Sequence, residues 1–469
     1  MTWTLLLLAA YSVLQVALGL WIGRRVRGTA DFFVAGRRLG AGLLFSTMLA
    51  ANIGAGSTVG AAGLGYRDGL SAWWWVGSAA IGSIVLATWI GPAIRRVAQR
   101  HDLRTVGDYL EFRYDARVRG VVSLLLWFGT LAILAGQLIA LAWVLNVVAG
   151  VPKVAGCLIG GVVMTAYFTA GGLLTSAWVN LVQLVVLLTG FALALPMAVA
   201  AAGGSSALLS FAPPNRDYWS LWHGGESGWA YLAMLGPAFV VSPGLLQKIY
   251  GARDDRAVRL GVGANAVVLL VFAFIPAVLG MTARLLHPAI ANHELALPTL
   301  LALDLPPLVG ALGLAALFSA EVSTADAILF MLATSLSQDL YKRFLRPAAT
   351  DAQVLAVARG AAIFGGLCGI GLAIVSPTII GALSLFYSVL GVCLFVPVVA
   401  GLFVERVDTA DALAAIAAGV VMMLAAHVTA FGRGLFGWTP TMIGLAAATA
   451  ACALCTAIRS LLNPGTLKP

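Results

Sequence analysis

Residues 50–60 read Ala50-Ala51-Asn52-Ile53-Gly54-Ala55-Gly56-Ser57-Thr58-Val59-Gly60. They sit inside an apolar run, approximately 41–65, that exceeds the ~20 residues needed to cross a bilayer as a helix. Glycine costs about 1 kcal/mol relative to alanine in a helix interior. Three glycines among small polar residues at mid-membrane depth therefore predict local unwinding. Unwound backbone survives at that depth only where it lines a cavity or binds something. A close-packing face of small residues is the competing reading of this segment taken alone.

The rest of the chain reads as membrane. Of 469 residues, 61% are hydrophobic and only 10% charged, whereas a soluble domain carries roughly 25% charged residues. Apolar runs at 3–22, 119–149, 174–202, 257–283 and 409–431 have helical length and no strand-like alternation, which excludes a β-barrel. The first run has no basic stretch ahead of it and no cleavage pattern before Arg24, Arg25 and Arg27, so it is expected to be a true span. Thirteen spans are expected: 3–23, 41–65, 70–94, 119–149, 154–170, 174–201, 229–247, 257–283, 306–337, 355–375, 378–403, 409–431 and 439–459. With the N-terminus outside and the C-terminus inside, only Arg67, Lys153, Arg216, Arg284 and Arg433 fall in outer loops, which leaves 23 of the 28 Lys and Arg residues inside. That asymmetry orients the chain, in the reading of an inner-membrane protein. The net charge of +9 thus reports topology and not a nucleic-acid partner.

Several function classes fall away. The segments 95–118, 203–228, 284–305 and 338–354 are too short to bury a separate core. There is no GxxxxGK[ST] phosphate loop and no HExxH, and Gly60–Gly65 does not follow a strand. The cysteines (Cys157, Cys368, Cys393, Cys452, Cys455) all lie in apolar runs and read as packing residues, without the further ligands a metal site needs. An enzyme is not expected. Glu321 and Asp326 are spaced i, i+5 and occupy different helix faces, and His101, His223, His287 and His293 fall in loops, with His427 in the twelfth span.

The ninth span is the second unusual stretch: Ala316-Leu317-Phe318-Ser319-Ala320-Glu321-Val322-Ser323-Thr324-Ala325-Asp326. Of the 19 acidic residues, only Glu321 and Asp326 lie well inside a span. A carboxylate there costs about 2.5–3.5 kcal/mol and marks function by default. Ala320, Ser323 and Thr324 stand at i, i+3 and i+4, so a carbonyl and two hydroxyls share one face. Hard monovalent cations take oxygen ligands of this kind.

With these two segments the chain resembles the sodium:solute symporter family. Further pieces carry the resemblance: Asp31-Phe32-Phe33-Val34-Ala35-Gly36-Arg37-Arg38-Leu39, Thr105-Val106-Gly107-Asp108-Tyr109-Leu110-Glu111-Phe112-Arg113, and Gly171-Gly172-Leu173 with Trp178 and Gln183. Ser242-Pro243 with Gln247-Lys248, Ser323-Thr324-Ala325-Asp326 and Asp339-Leu340-Tyr341-Lys342 complete it. The resemblance implies an all-α polytopic fold with a leucine-transporter-like core of five-plus-five inverted repeats, 41–201 and 229–403, preceded by an extra helix at 3–23 and followed by two at 409–459. It implies sodium as the coupled ion and symport of a small organic solute by alternating access. It also places the shared sodium on the carbonyls of Ala50, Ile53 and Ala320 and the hydroxyls of Ser323 and Thr324.

Two positions depart from the family pattern. Asn180 stands where relatives commonly carry the Asp tied to a further cation position or to the ion's exit path. Glu321 stands where relatives are usually small and apolar. Glu321 is read as a replacement for that charge, as a titrating group that admits proton coupling, or as a structural carboxylate bonded across helices. Asp326 joins Glu321 and Asn180 as a coupling candidate. Substrate-lining candidates are Asn52, Gly56, Ser57, Trp73, Trp74, Gln137, Ser242, Phe386, Tyr387 and Ser388. The tryptophans begin near the outer interface and also read as interfacial anchors. No Lys or Arg falls deep in the expected core spans, which disfavours bulky acids. Proton-coupled symport and a non-transporting membrane sensor are the alternative functions.

Overall fold

In hydrocarbon each backbone amide must find its partner within its own segment or in protein, and the chain is accordingly almost wholly helical. The computed structural model describes residues 37–168, 173–211, 213, 217–429, 435 and 437–462, with isolated residues between 10 and 17, and only the backbone at 166–168 and 173–178. Apart from those isolated residues, the expected first span, 3–23, lies outside the described residues, as do the pieces at 31–36 and 171–172 and the side chain of Trp178.

The first half contains α1 (Ala41–Asn52), α2 (Ala61–Asp68), α3 (Trp73–Val85), α4 (Gly91–Arg100), α5 (Val106–Arg113), α6 (Ala116–Ala149), α7 (Lys153–Phe168), α8 (Leu173–Ala201) and α9 (Gly204–Ser210). The second contains α10 (Tyr231–Val241), α11 (Pro243–Tyr250), α12 (Asp255–Phe272), α13 (Phe274–Leu286), α14 (Ala296–Leu303), α15 (Pro307–Thr334), α16 (Asp351–Val375), α17 (Ile379–Phe403), α18 (Thr409–Thr429) and α19 (Pro440–Leu462). Ten of the described helical runs are long and apolar enough to cross a membrane. Their outward faces carry Phe128, Val185, Val271, Leu367 and Val421, all well exposed. Lipid is the solvent for such a surface.

The expected loops hold more structure than their composition announces. The 95–118 segment contains α5, opened by a capping box in which Thr105 and Asp108 satisfy each other's backbone N–H groups. The 284–305 stretch contains α14, and 203–228 holds α9 and an antiparallel hairpin, β1 (His223–Gly224) with β2 (Ser227–Gly228). The hairpin turns on Gly225, whose φ of +55° suits glycine. Serine hydroxyl to carboxylate, Ser227 donates to Asp68 at 2.6 Å and ties the hairpin to the end of α2.

α15 runs through the middle, packed against α1, α6, α8 and α16. It continues past its expected end as a π-helical stretch, Ser335–Leu345. There two of the quoted sequence pieces meet. Arg119, buried at the start of α6, pairs with Asp108 at 2.9 Å, Glu111 at 2.9 Å and Asp339 at 2.8 Å. Thr105 Oγ1 donates to Asp339 at 2.6 Å. Removing one member of a buried ion network strands the others, which is why such clusters hold helix ends rigidly.

Candidate functional site

Among the described residues, two of the membrane crossings are interrupted by extended backbone. α1 stops at Asn52, Ile53 takes an extended conformation (φ −102°, ψ 97°), and helix resumes as a π turn, Gly56–Gly60, leading into α2. The unwinding expected from the three glycines is present at that place. α10 and α11 are separated at Ser242 (φ −54°, ψ 120°), where Pro243 supplies the first residue of the new helix.

An interrupted helix exposes N–H and C=O groups that must be accounted for one by one. The Gly54 N–H donates to Ser57 Oγ at 2.9 Å, and the Ala55 N–H donates to Gln137 Oε1 of α6 at 2.8 Å. Ser57 Oγ is also 2.9 Å from the Asn52 carbonyl. Thr58 Oγ1 is 2.8 Å from the Gly54 carbonyl. The carbonyls nearest α15 are met from across the bundle. Ser323 Oγ lies 3.0 Å from Ala50 O and 3.1 Å from Ala320 O. Thr324 Oγ1 lies 3.2 Å from Ala50 O and 3.1 Å from Ile53 O. Five uncharged oxygens thus converge from Ala50, Ile53, Ala320, Ser323 and Thr324, contributed by segments some 270 residues apart. Three carbonyls and two hydroxyls form a hard donor set that suits a monovalent cation in both charge and softness.

Beside this cluster lies a cavity lined by Asn52, Gly54, Gly56, Ser57, Trp75, Gln137, Phe239, Thr324, Leu383 and Tyr387 with smaller neighbours. Asn52 is held by the buried Asn265, Nδ2 to Oδ1 at 3.1 Å. Trp75 meets Tyr231 and Tyr387 edge-on, with ring centroids 5.1 and 6.3 Å apart. The polar groups are few and convergent in a mostly apolar wall, as solute sites generally are. Among the described residues, no Lys, Arg, Asp or Glu lines it.

Of the residues expected to line a solute site, the structure brings Asn52, Gly56, Ser57, Gln137 and Tyr387 to this cavity. Trp73, Trp74, Ser242, Phe386 and Ser388 stand outside its lining. Trp73 Nε1 donates to Leu270 O and Trp74 Nε1 to Leu221 O, so both secure neighbouring segments. Phe386 is buried beside Gly129. Ser388 Oγ shares a hydrogen bond with Thr441 of α19 at 2.7 Å. Trp75, Phe239 and Leu383 are among the largest of the lining residues that sequence reading missed. Successive residues on a helix point about 100° apart, so only one of Trp73, Trp74 and Trp75 can face the site, and composition alone does not set the phase.

Lys248, just past the expected end of the seventh span, is a cation whose burial the sequence reading did not anticipate. α11 runs past the expected end of its span and buries this side chain, 4% exposed, with no hydrogen-bond partner on Nζ among the described residues and Asp326 as the opposing charge. Glu321 is fully buried and accepts a hydrogen bond from Thr58 Oγ1 at 2.9 Å. Asn180 is also buried, on α8.

The fold and this interrupted-helix site define a secondary transporter. Among solved structures, a Na+-coupled sialic acid symporter superposes with a TM-score of 0.83 at 20% identity, over 97% of each chain. The nucleobase-cation-symport-1 transporter Mhp1, in a closed conformation, gives 0.56 at 14%, over 94% of this chain and 97% of that one. These likenesses show the leucine-transporter-like fold. The chain is 28% identical to the human sodium/iodide cotransporter over 99% of its length and 75% of the relative's. It is 27% identical to the Escherichia coli sodium/pantothenate symporter over 88% of both. The model of the sodium:solute symporter family matches residues 32–419, and the chain belongs to that family. It is a multi-pass membrane protein that carries out sodium-coupled symport, with sodium as the coupling ion.

Proposed function

We propose that the ion is held by the carbonyl oxygens of Ala50, Ile53 and Ala320 and the hydroxyls of Ser323 and Thr324, and that the solute occupies the adjoining cavity. The observation that carries this reading is the convergence of the Ser323 and Thr324 hydroxyls on carbonyls freed at one helix interruption. A bound cation would take the hydroxyl lone pairs and the same carbonyls together. The cargo is a small polar organic solute without a bulky acidic group. The cavity offers amides, a serine and aromatic rings, and no cationic side chain. The relatives' names, iodide and pantothenate, differ too widely to choose it.

The chain is arranged as two inverted repeats, 41–201 and 229–403, each opening with an interrupted helix. The extra helix at 3–23 completes thirteen spans, with the N-terminus outside and the C-terminus inside an inner membrane. No enzymatic step is assigned. Asn180, an amide, holds no charge for a further cation, and one sodium suffices energetically. A unit charge gains ~2.3 kcal/mol per 100 mV, and a tenfold gradient adds about 1.4 kcal/mol. Together these support roughly several-hundredfold accumulation of a neutral solute.

The test compares melting of the purified protein in NaCl and KCl at equal ionic strength. A site filled at about 100 times its dissociation constant adds about 2.7 kcal/mol. The expected result is a sodium-specific rise that Ser323→Ala abolishes. An equal rise in Ser323→Ala would remove these ligands from the assignment.

A further inference from the structure

The π-helical end of α15 carries a surface that takes no part in the site above. On its buried side are Ser337, Gln338 and Asp339, the last closing on Arg119. Its other side presents Lys342, Arg343, Phe344, Leu345 and, just beyond, Arg346. Phe344 is 45% exposed and Leu345 77%. Two large apolar side chains within a basic run, at the end of a membrane helix, suit the boundary between lipid tails and headgroups.

The neighbouring helices extend this surface along the membrane. The stretch packs against both α6 and α16, which begin beside it. Phe344 lies over Gly120 of α6, 3.4 Å from where a first side-chain carbon would stand. The exposed stripe of α6, Val121, Leu124 and Phe128, starts at the next residue. On α16 the exposed Arg359 stands one turn before Ile363 and two before Leu367, which are exposed as well. Trp127 of α6 stacks on Phe364 of α16, with ring centroids 5.7 Å apart, so the two helices present one continuous apolar wall.

Charge selects the headgroup. Lys342, Arg346 and Arg359 make no ion pair among the described residues, whereas the acids near the stretch are engaged. Glu111 pairs with Arg119 and Arg343, Asp108 and Asp339 with Arg119, and Asp102 with Arg37. Asp351 is not free either. A zwitterionic headgroup brings its own cation to such a surface and an anionic one does not. Each Lys or Arg close to anionic lipid favours it by about fivefold. We propose that an anionic phospholipid binds here, its acyl chains along the α6–α16 wall and its phosphate among Lys342, Arg346 and Arg359. The site rests on neither the cation ligands nor the solute cavity.

Native mass spectrometry of the purified full-length protein, mixed with equal amounts of phosphatidylglycerol and phosphatidylcholine of the same chains, reads this preference. Wild type is expected to retain phosphatidylglycerol over phosphatidylcholine by at least about tenfold. The triple variant Lys342→Gln/Arg346→Gln/Arg359→Gln should bring the ratio below about threefold, with each single change intermediate. Lys342→Arg, which keeps the charge, should match wild type. So should Arg256→Gln/Arg259→Gln, on two exposed arginines that open α12. Leu345→Ser should lower retention of both lipids and leave their ratio unchanged. Because the ratio is read within one sample, a variant of lower stability still reports it. Equal retention of the two lipids, an unchanged ratio in the triple variant, or the same loss in Arg256→Gln/Arg259→Gln would overturn the proposal. Displacement of the lipid by excess glycerol phosphate would also overturn it, by showing a site for a soluble phosphate.

Discussion

The two interrupted helices occupy comparable places in the fold and are built by different chemistry. At Ile53–Ala55 the chain unwinds without a proline, and Ser57, Thr58, Gln137 and Thr324 answer the freed backbone groups. At Ser242 the interruption is made by Pro243. No side chain caps the new helix, and the Ser242 carbonyl is satisfied locally by the N–H groups of Leu245 and Leu246 at 3.1 and 2.9 Å. The first break leaves oxygens aimed at another helix and at a cavity. The second closes on itself. A shared architecture therefore does not imply a shared chemistry: one break offers its backbone groups to side chains of other helices, and the other is a bend.

Substitutions at the two breaks should separate these roles. The largest effect is expected for Gly54→Val. Even the first added carbon would stand 2.7 Å from Gln137 Oε1 and collide with Thr324, so sodium-dependent uptake should vanish and apparent stability fall by about 1–3 kcal/mol or more in thermal melting. Gln137→Leu comes next. It leaves the buried Ala55 N–H unpaired, at a cost of about 1–3 kcal/mol, and solute affinity measured by uptake should fall with it. Pro243→Ala should cost less than about 1 kcal/mol, through the added freedom of the unfolded chain, and slow transport without changing the sodium concentration for half-maximal uptake. Ser242→Ala should be the mildest, within about 0.5 kcal/mol in melting and near wild type in uptake. A Ser242→Ala protein that no longer responds to sodium would break the comparison, because the second interruption would then also carry ligands.

Much of this was legible from residue types. Gly54, Gly56 and Gly60 announced the unwound segment because a helix interior penalises glycine wherever it stands. Ser323 and Thr324 declared a shared face with Ala320 because i, i+3 and i+4 coincide on any helix. The capping box at Thr105 was readable in the same local way, although the 95–118 segment was expected as a plain loop. Trp75 and Lys248 were not legible. Which of three adjacent tryptophans faces the cavity depends on how α3 is rotated, and the burial of Lys248 depends on where α11 stops. Neither is a property of the residue itself.

By itself the sequence determined the solvent, the helical content and the two segments where carbonyls and hydroxyls would be offered, because hydrophobic transfer and helix propensity act over a few residues. Only the tertiary structure decided that Ser323 and Thr324 reach Ala50 and Ile53, that Asp339 closes on Arg119, and that Glu321 meets Thr58 instead of a cation. Those partners lie 220 to 274 positions apart. Their meeting is set by the packing of whole helices through small side chains, a cooperative quantity to which no single stretch of sequence holds the key.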